Sequence, residues 1–217
     1  MVGQGVLQEC LGSQEVESIL SIGRRATAQT HSKLREIVHR DFTDFSAIEG
    51  ELSGFDACFF CLGVSSLGMK EAEYRRVTYD FAVSAAQTLA RLNPAMTFIY
   101  VSGAGTDSTG RGATMRARVK GQTENAIFEL PFKAAFAFRP GYIQPLGGIV
   151  PKTAWLRALY SVAAPLYPVW KALFPNYVTT TAQVGRAMIH VAREGAPKRV
   201  LRKNMASRSF SASFETR

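Results

Sequence analysis

The sequence predicts an α/β chain built on a doubly wound parallel sheet, and three observations carry that reading. Short apolar runs alternate with stretches of helical periodicity, the pattern of successive βαβ units. Two of the runs, FDACFFCLG (55–63) and MTFIYVSG (96–103), are apolar almost without interruption, as strands buried on both faces must be. With 217 residues, 47% of them hydrophobic, the chain can cover both faces of such a sheet around one core.

Taken in order, the chain opens MVGQGVLQEC, where Val2, Val6, Leu7 and Leu11 share one helical face and Gly12 is a stop. ESILSIG (17–23) is a strand ending at Gly23, and LREIVHRDF (34–42) is a second with Asp41 at its exit. The run 55–63 is the third. EAEYRRVTYDFAVSAAQTLARLN (71–93) is the strongest helix: Tyr74, Val77, Phe81, Ala85, Thr88 and Leu92 recur at steps of three and four. Asn93-Pro94 ends it, since the residue before a proline is pushed out of helical geometry. The run 96–103 is the fourth strand, 114–130 a helix aligning Met115, Val119, Ala126, Ile127 and Leu130, and FKAAFAFRPG (132–141) a fifth strand. Rich in proline and aromatic residues, 145–178 reads as a small helical C-terminal lobe, or as a surface that rests on a partner or on lipid. TTTAQVGRAMIHVAREG (179–195) is a helix capped by Thr180 or Thr181, and 198–201 is an edge strand. Residues 1–202 thus read as one domain with the lobe inside it. The Ser- and Arg-rich remainder, 203–217, is expected to be disordered.

Net charge is +9 and the pI near 9.7, but much of the excess is local. Lys198, Arg199, Arg202, Lys203, Arg208 and Arg217 face only Glu215 in the last stretch, which reads as a solvated basic tail. Without a recognition motif elsewhere, nucleic acid is not expected as a partner. Three cysteines and no signal peptide favour a reducing compartment, the cytoplasm. Cys58 and Cys61 have redox-motif spacing, yet residues three apart on a strand point to opposite faces, so both are read as core. No apolar run approaches the ~20 residues of a membrane span.

In such a sheet, ligands bind outside the carboxyl ends of the strands. Arg24 and Arg25 leave the first strand, where a carboxylate would suit a ribose 2′-hydroxyl and guanidinium groups suit a 2′-phosphate. Asp41 and Phe42 leave the second, and Cys61, Leu62 and Gly63 the third.

The motifs SIGRR, RDFTDF, FDACFFCLG, YRRVTYDFAVSAAQ, YVSGAG, VKGQTENAI and FRPGYIQP follow one another in the order of the extended and atypical short-chain dehydrogenase/reductases. Over about residues 1–195 the chain resembles the Rossmann branch holding the Tat-interacting oxidoreductase-like proteins and their epimerase-like bacterial relatives. That resemblance implies an NADP cofactor, with NAD second. It makes Gly3 the last glycine of a GxxGxxG turn beside the pyrophosphate. It puts Arg24 and Arg25 at the 2′-phosphate, Asp41 and Phe42 around adenine, and Cys61, Leu62 and Gly63 along the ribose. Ser102 and Lys120 become the catalytic serine and lysine, and Pro140, Gly141 and Tyr142 flank nicotinamide. Helices 71–93 and 114–130 become the faces of a homodimer.

The chain departs from this pattern in three places. Arg116 stands where the family's Tyr-x-x-x-Lys motif has its tyrosine, and a guanidinium, always charged, cannot exchange the proton a phenol would. No strand and first glycines precede Gly3, so Met1 is read as an internal methionine of a truncated or mis-started product whose central strand is missing. The basic tail replaces an ordered segment. Two functions follow: an NADP-dependent oxidoreductase acting on a carbonyl or sugar-like substrate, or a non-catalytic NADP-binding sensor or interaction module.

Overall fold

The computed structural model describes residues 2–144 and 178–202. The helical lobe, its partner- or lipid-facing surface and the basic tail were read on 145–178 and 203–217, and lie outside the described residues except for residue 178.

Helix α1 (Val2–Gly12) leads to strand β1 (Ile19–Gly23), which pairs in parallel with β2 (Leu34–Val38), Ile19 opposite Leu34. A second parallel ladder has the order β3 (Ala57–Phe60), β4 (Thr97–Val101), β5 (Ala134–Phe138) and β8 (Val200–Leu201). A short parallel pair that periodicity did not announce joins β6 (Tyr142–Gln144) to β7 (Val178–Thr180). The strands are shorter than the runs that predicted them: β3 stops at Phe60 although apolar Cys61 and Leu62 follow, and β2 stops at Val38 before polar His39, Arg40 and Asp41.

Between β1 and β3 there is no ladder. The two pieces nevertheless form one layer. Leu20 and Ile22 of β1 and Cys58 and Phe60 of β3 turn to a core with Phe42, Phe45, Ala85 and Ala86. Ile19, Phe59 and Cys61 turn to the opposite core with Val6, Cys10, Met188 and Ile189. Alternation along both strands thus serves the same two helical layers, the doubly wound arrangement. Cys58 and Cys61 lie on opposite faces, as their spacing requires.

The helix expected over 71–93 is not continuous. Helix α2 (Glu71–Arg75) passes through a π turn (Arg76–Asp80) into α3 (Phe81–Leu92). A π turn inserts one residue and rotates everything beyond it. The buried stripe therefore runs Tyr74, Thr78, Ala82, Ala85, Ala86 and Ala90, while Val77 and Phe81, expected on it, are only half-buried.

Helix α4 (Met115–Phe128) buries Val119, Thr123, Glu124 and Ile127. The loop after β4 lies directly on it: Asp107 N donates to Ala117 O at 3.1 Å. A Cβ on Gly121 would stand 1.7 Å from the Asp107 carbonyl oxygen, so that contact admits only glycine. Helix α5 (Thr181–Glu194) opens with a reciprocal cap. Thr180 Oγ1 accepts from Gln183 N and Gln183 Oε1 accepts from Thr180 N, which settles the N-cap on Thr180. It crosses α1 closely, since a Cβ on Gly5 would meet Thr181 Cβ at 2.4 Å, and one on Gly185 would meet Glu9 Cγ at 2.7 Å. Gly5 is therefore a helix-packing residue.

Candidate functional site

The carboxyl ends of the strands gather the predicted residues into two groups. The first rims a cavity of about 950 Å³ bordered by Gly3, Arg24, Arg25, Phe42, Cys61 and Leu62. Gly3 lies in the first turn of α1, and a Cβ there would come to 3.3 Å from Cys61 Cβ. The helix start is thereby held against the end of β3, with its first backbone N–H groups, which no helical carbonyl can reach, at the sheet's carboxyl edge. Arg24 and Arg25 are exposed and have no ion-pair partner among the described residues. The loop that carries them is anchored by Thr27 N donating to Glu36 Oε1 at 2.9 Å.

Asp41 and Gly63 do not border this cavity. Asp41 closes its own turn by accepting from Thr43 N at 2.9 Å and from Thr43 Oγ1, and these bonds hold its carboxyl below the ordinary value. Phe42 packs its ring into the core, edge-on to Phe45 at 5.8 Å and tilted against Phe81.

The second group lies where β4 and β5 end. Lys120 Nζ donates to the Ser102 carbonyl, and a Cβ on Gly103 would lie 3.4 Å from that Nζ and 3.9 Å from Pro140 O. Pro140 O in turn accepts from Ala104 N at 2.8 Å. Ser102, Lys120 and Pro140 thus converge. Burial first, and the Arg116 charge second, lower the Lys120 ammonium to a pKa of about 8. Gly141 and Tyr142 follow at the start of β6, where the Tyr142 hydroxyl donates to Gln144 Oε1 at 2.8 Å.

Sequence reasoning missed the pair underneath. Glu124 on α4 and Arg139 at the end of β5 form an ion pair whose side chains are 1% and 5% exposed. Ser102 Oγ donates to Glu124 Oε1 at 2.5 Å, Arg139 Nε donates to the same oxygen at 2.9 Å, and Arg139 also reaches Ser108 Oγ at 2.7 Å. A hydroxyl has one proton to give, and Ser102, 2% exposed, gives it to this carboxylate. Only residue types normally kept at the surface unless paired marked these positions in the sequence.

Among the described residues, Tyr74, Tyr79 and Tyr100 do not take the place of the expected phenol. Tyr74 and Tyr100 are fully buried, with burial raising both phenols. Tyr79 lies under the Arg75 guanidinium at 4.0 Å. Arg116 itself is exposed beside Gly105.

No family model matches the chain. It is 27% identical over 144 residues to rat protein HTATIP2, a match covering 65% of this chain and 58% of that protein. To the mitochondrial protein FMP52-1 of Scheffersomyces stipitis it is 26% identical over 145 residues, covering 66% of this chain and 63% of the other. The matches thus span about three fifths of the length of these curated relatives. Among solved structures, the chain resembles Bordetella bronchiseptica WbmG in complex with NAD and UDP (TM-score 0.64, 13% identity), covering 94% of this chain and 72% of that one. It also resembles the Helicobacter pylori ADP-L-glycero-D-manno-heptose-6-epimerase (TM-score 0.63, 13% identity), covering 92% of this chain and 72% of that one. The likeness to these solved structures shows the fold, a Rossmann-like α/β arrangement.

Proposed function

We propose that the chain is an NADP-binding, short-chain dehydrogenase/reductase-like oxidoreductase acting on a carbonyl or sugar-like substrate. One observation carries the cofactor choice: two exposed guanidinium groups, Arg24 and Arg25, lie at the exit of β1 on the rim opposite the start of α1. Guanidinium groups bind phosphate bidentately, and the first turn of a helix accepts a second phosphate through its free N–H groups. A Cβ on Gly3 would press on Cys61 Cβ at 3.3 Å, so glycine there lets the helix start sit close to the end of β3, where a pyrophosphate would lie. Solved neighbours described as complexes with NAD and UDP, and one described as a complex with UDP-N-acetylmuramic acid, support a nicotinamide dinucleotide and a nucleotide-linked sugar as the ligand classes.

NADPH, when bound, supplies hydride. Lys120, tethered to the Ser102 carbonyl, would hold ribose hydroxyls and set positive charge beside the nicotinamide end, with Pro140, Gly141 and Tyr142 as its flanking residues. In this reading Ser102 orients the substrate oxygen only after Glu124 yields its hydrogen bond.

A second reading, a non-catalytic NADP-binding sensor or interaction module, is favoured by Arg116 at the phenol position and by the engaged Ser102 hydroxyl. Fluorescence titration tests the cofactor choice: NADPH is expected to bind more tightly than NADH, and Arg24→Ser with Arg25→Ser to erase the difference. Equal affinities in the parent chain overturn the NADP assignment. Arg116→Tyr then separates the two readings, since reductase turnover gained by that variant supports the enzyme and none supports the sensor.

A further inference from the structure

We infer that Thr27 is a phosphorylation site for a basophilic serine/threonine kinase, and that the phosphate it receives engages Arg24 and Arg25. Its effect on cofactor binding rests on the proposed NADP reading, while the modification itself does not. The sequence holds two Arg-Arg-x-Thr runs, Arg24–Thr27 and Arg75–Thr78. In that pattern the carboxylates of a kinase groove read two arginines just ahead of the acceptor hydroxyl. The runs are equivalent as sequence, and their surroundings separate them.

Arg75–Thr78 is locked. It lies where α2 passes into its π turn, and Thr78 is 3% exposed. Arg75 is engaged by Gln122 Oε1 at 2.6 Å and by the Tyr79 ring at 4.0 Å. Presenting Thr78 to an enzyme would mean unwinding the helix out of the core. Arg24–Thr27 lies instead in the connection from β1 to β2, with Arg24, Arg25, Ala26 and Ala28 exposed and Thr27 half-buried. Among the described residues, 24–30 make no backbone–backbone hydrogen bond. Two bonds hold the segment: Thr27 N donates to Glu36 Oε1 at 2.9 Å, and Gln29 N to Thr27 Oγ1 at 3.3 Å. Ala28 follows with φ at 61°, the one left-handed non-glycine among the described residues. Drawing the segment out into a kinase groove relieves that conformation.

In the transfer, Thr27 Oγ1 bonds to the γ-phosphorus of ATP as the bond from that phosphorus to the β-phosphate oxygen breaks. ADP leaves, and the hydroxyl proton passes to the general base of the kinase. The product carries about −1.5 to −2 charge at pH 7, which two guanidinium groups neutralise. Two and three residues of chain place Arg25 and Arg24 at most about 7 and 11 Å from Thr27, a span that an arginine and a phosphothreonine side chain cover together. Glu36 becomes a like charge beside the new phosphate, so its bond to Thr27 N weakens. Phosphothreonine and an adenosine 2′-phosphate are both phosphate monoesters, and they compete for the same two guanidinium groups. Modification therefore lowers affinity for NADPH and spares NADH.

The test treats the whole chain with the catalytic subunit of cAMP-dependent protein kinase and Mg-ATP, and maps phosphate by peptide mass spectrometry. Thr27 is expected to be phosphorylated and Thr78 to stay unmodified. Thr27→Ala is expected to lose the label and Thr27→Ser to keep it. An unlabelled Thr27, or a Thr78 labelled as fully, overturns the assignment. Phosphorus NMR is expected to place the second ionisation of the phosphothreonine at lower pH in the folded chain than in urea, since guanidinium partners favour the dianion. The same pH in both states overturns the engagement of Arg24 and Arg25. Fluorescence titration is expected to show NADPH affinity falling at least about tenfold on phosphorylation, with NADH changed less than about twofold. Unchanged NADPH affinity overturns the competition. An unmodified chain that binds NADPH no more tightly than NADH overturns the NADP reading instead, and the phosphate map and its titration then decide the site by themselves.

Discussion

Ser102 Oγ and Glu124 Oε1 lie 2.5 Å apart beneath the candidate site, with Arg139 on the same carboxylate. Both members of the ion pair are withdrawn from solvent. Removing one partner of such a pair strands a buried charge, at a cost of about 3–5 kcal/mol, whereas replacing both by apolar residues is often neutral. Arg139→Met is therefore expected to lower unfolding free energy by about that amount, and Arg139→Met with Glu124→Leu to recover most of it. Urea denaturation of the two variants checks this. A single variant as stable as the parent would remove the pair from the account of how Ser102 is held.

Lys120 gives the fold a pH dependence of predictable sign. Its folded pKa of about 8 lies below the ordinary lysine value of 10.5, so between those values the unfolded chain binds more protons than the folded one. Stability from this group therefore rises as pH increases through that window. Below about pH 8 both states are protonated and the full penalty is present. Lys120→Met is expected to flatten the rise, measured as melting temperature at pH 7.5, 9 and 10. An identical rise in the variant would assign it to other groups.

The architecture was legible because strand and helix differ in period. Continuous apolar runs such as 55–63 announced doubly buried strands, and the exits of those runs announced where Arg24, Arg25 and Cys61 would gather. What was not legible is what period cannot encode. The π turn at Arg76–Asp80 is one inserted residue within an otherwise helical pattern, and it moved Val77 and Phe81 off the buried stripe. Glu124 carries the residue type of a solvated helix face, and only a partner 15 positions away, Arg139, makes its burial tolerable. Phe42 followed an exit carboxylate, but its ring is drawn into the aromatic cluster with Phe45 and Phe81.

Two helical glycines should answer the same substitution in opposite ways. Gly121→Ala would force a Cβ to 1.7 Å from the Asp107 carbonyl and displace the loop that leads from Ser102 to α4. Overpacking of this kind costs about 1–3 kcal/mol or more. Gly12→Ala meets nothing within 4 Å, and alanine's helix propensity favours it by up to about 1 kcal/mol. Thermal melts of the two variants, compared with the parent, are expected to move in opposite directions. A Gly121→Ala protein that melts with the parent would show that the loop can slide off α4.

The thiols complete the set. Burial raises Cys58 and Cys61 to about 12 and Cys10 to about 11. Since the thiolate is the nucleophile, a thiol shifted from 9.0 to about 12 loses roughly a thousandfold in reactive form at pH 8. Alkylation of native Cys58 and Cys61 by iodoacetamide is expected to be slower by about that factor than in urea, and to accelerate about tenfold per pH unit. Their side chains enter cores on opposite faces of β3, a direction that no disulfide can span without moving the backbone. Diamide treatment of the native chain followed by peptide mass mapping is therefore expected to show no Cys58–Cys61 bridge. Finding that bridge would mean that β3 leaves its register readily, and that the burial of the two thiols in opposite cores does not hold in solution.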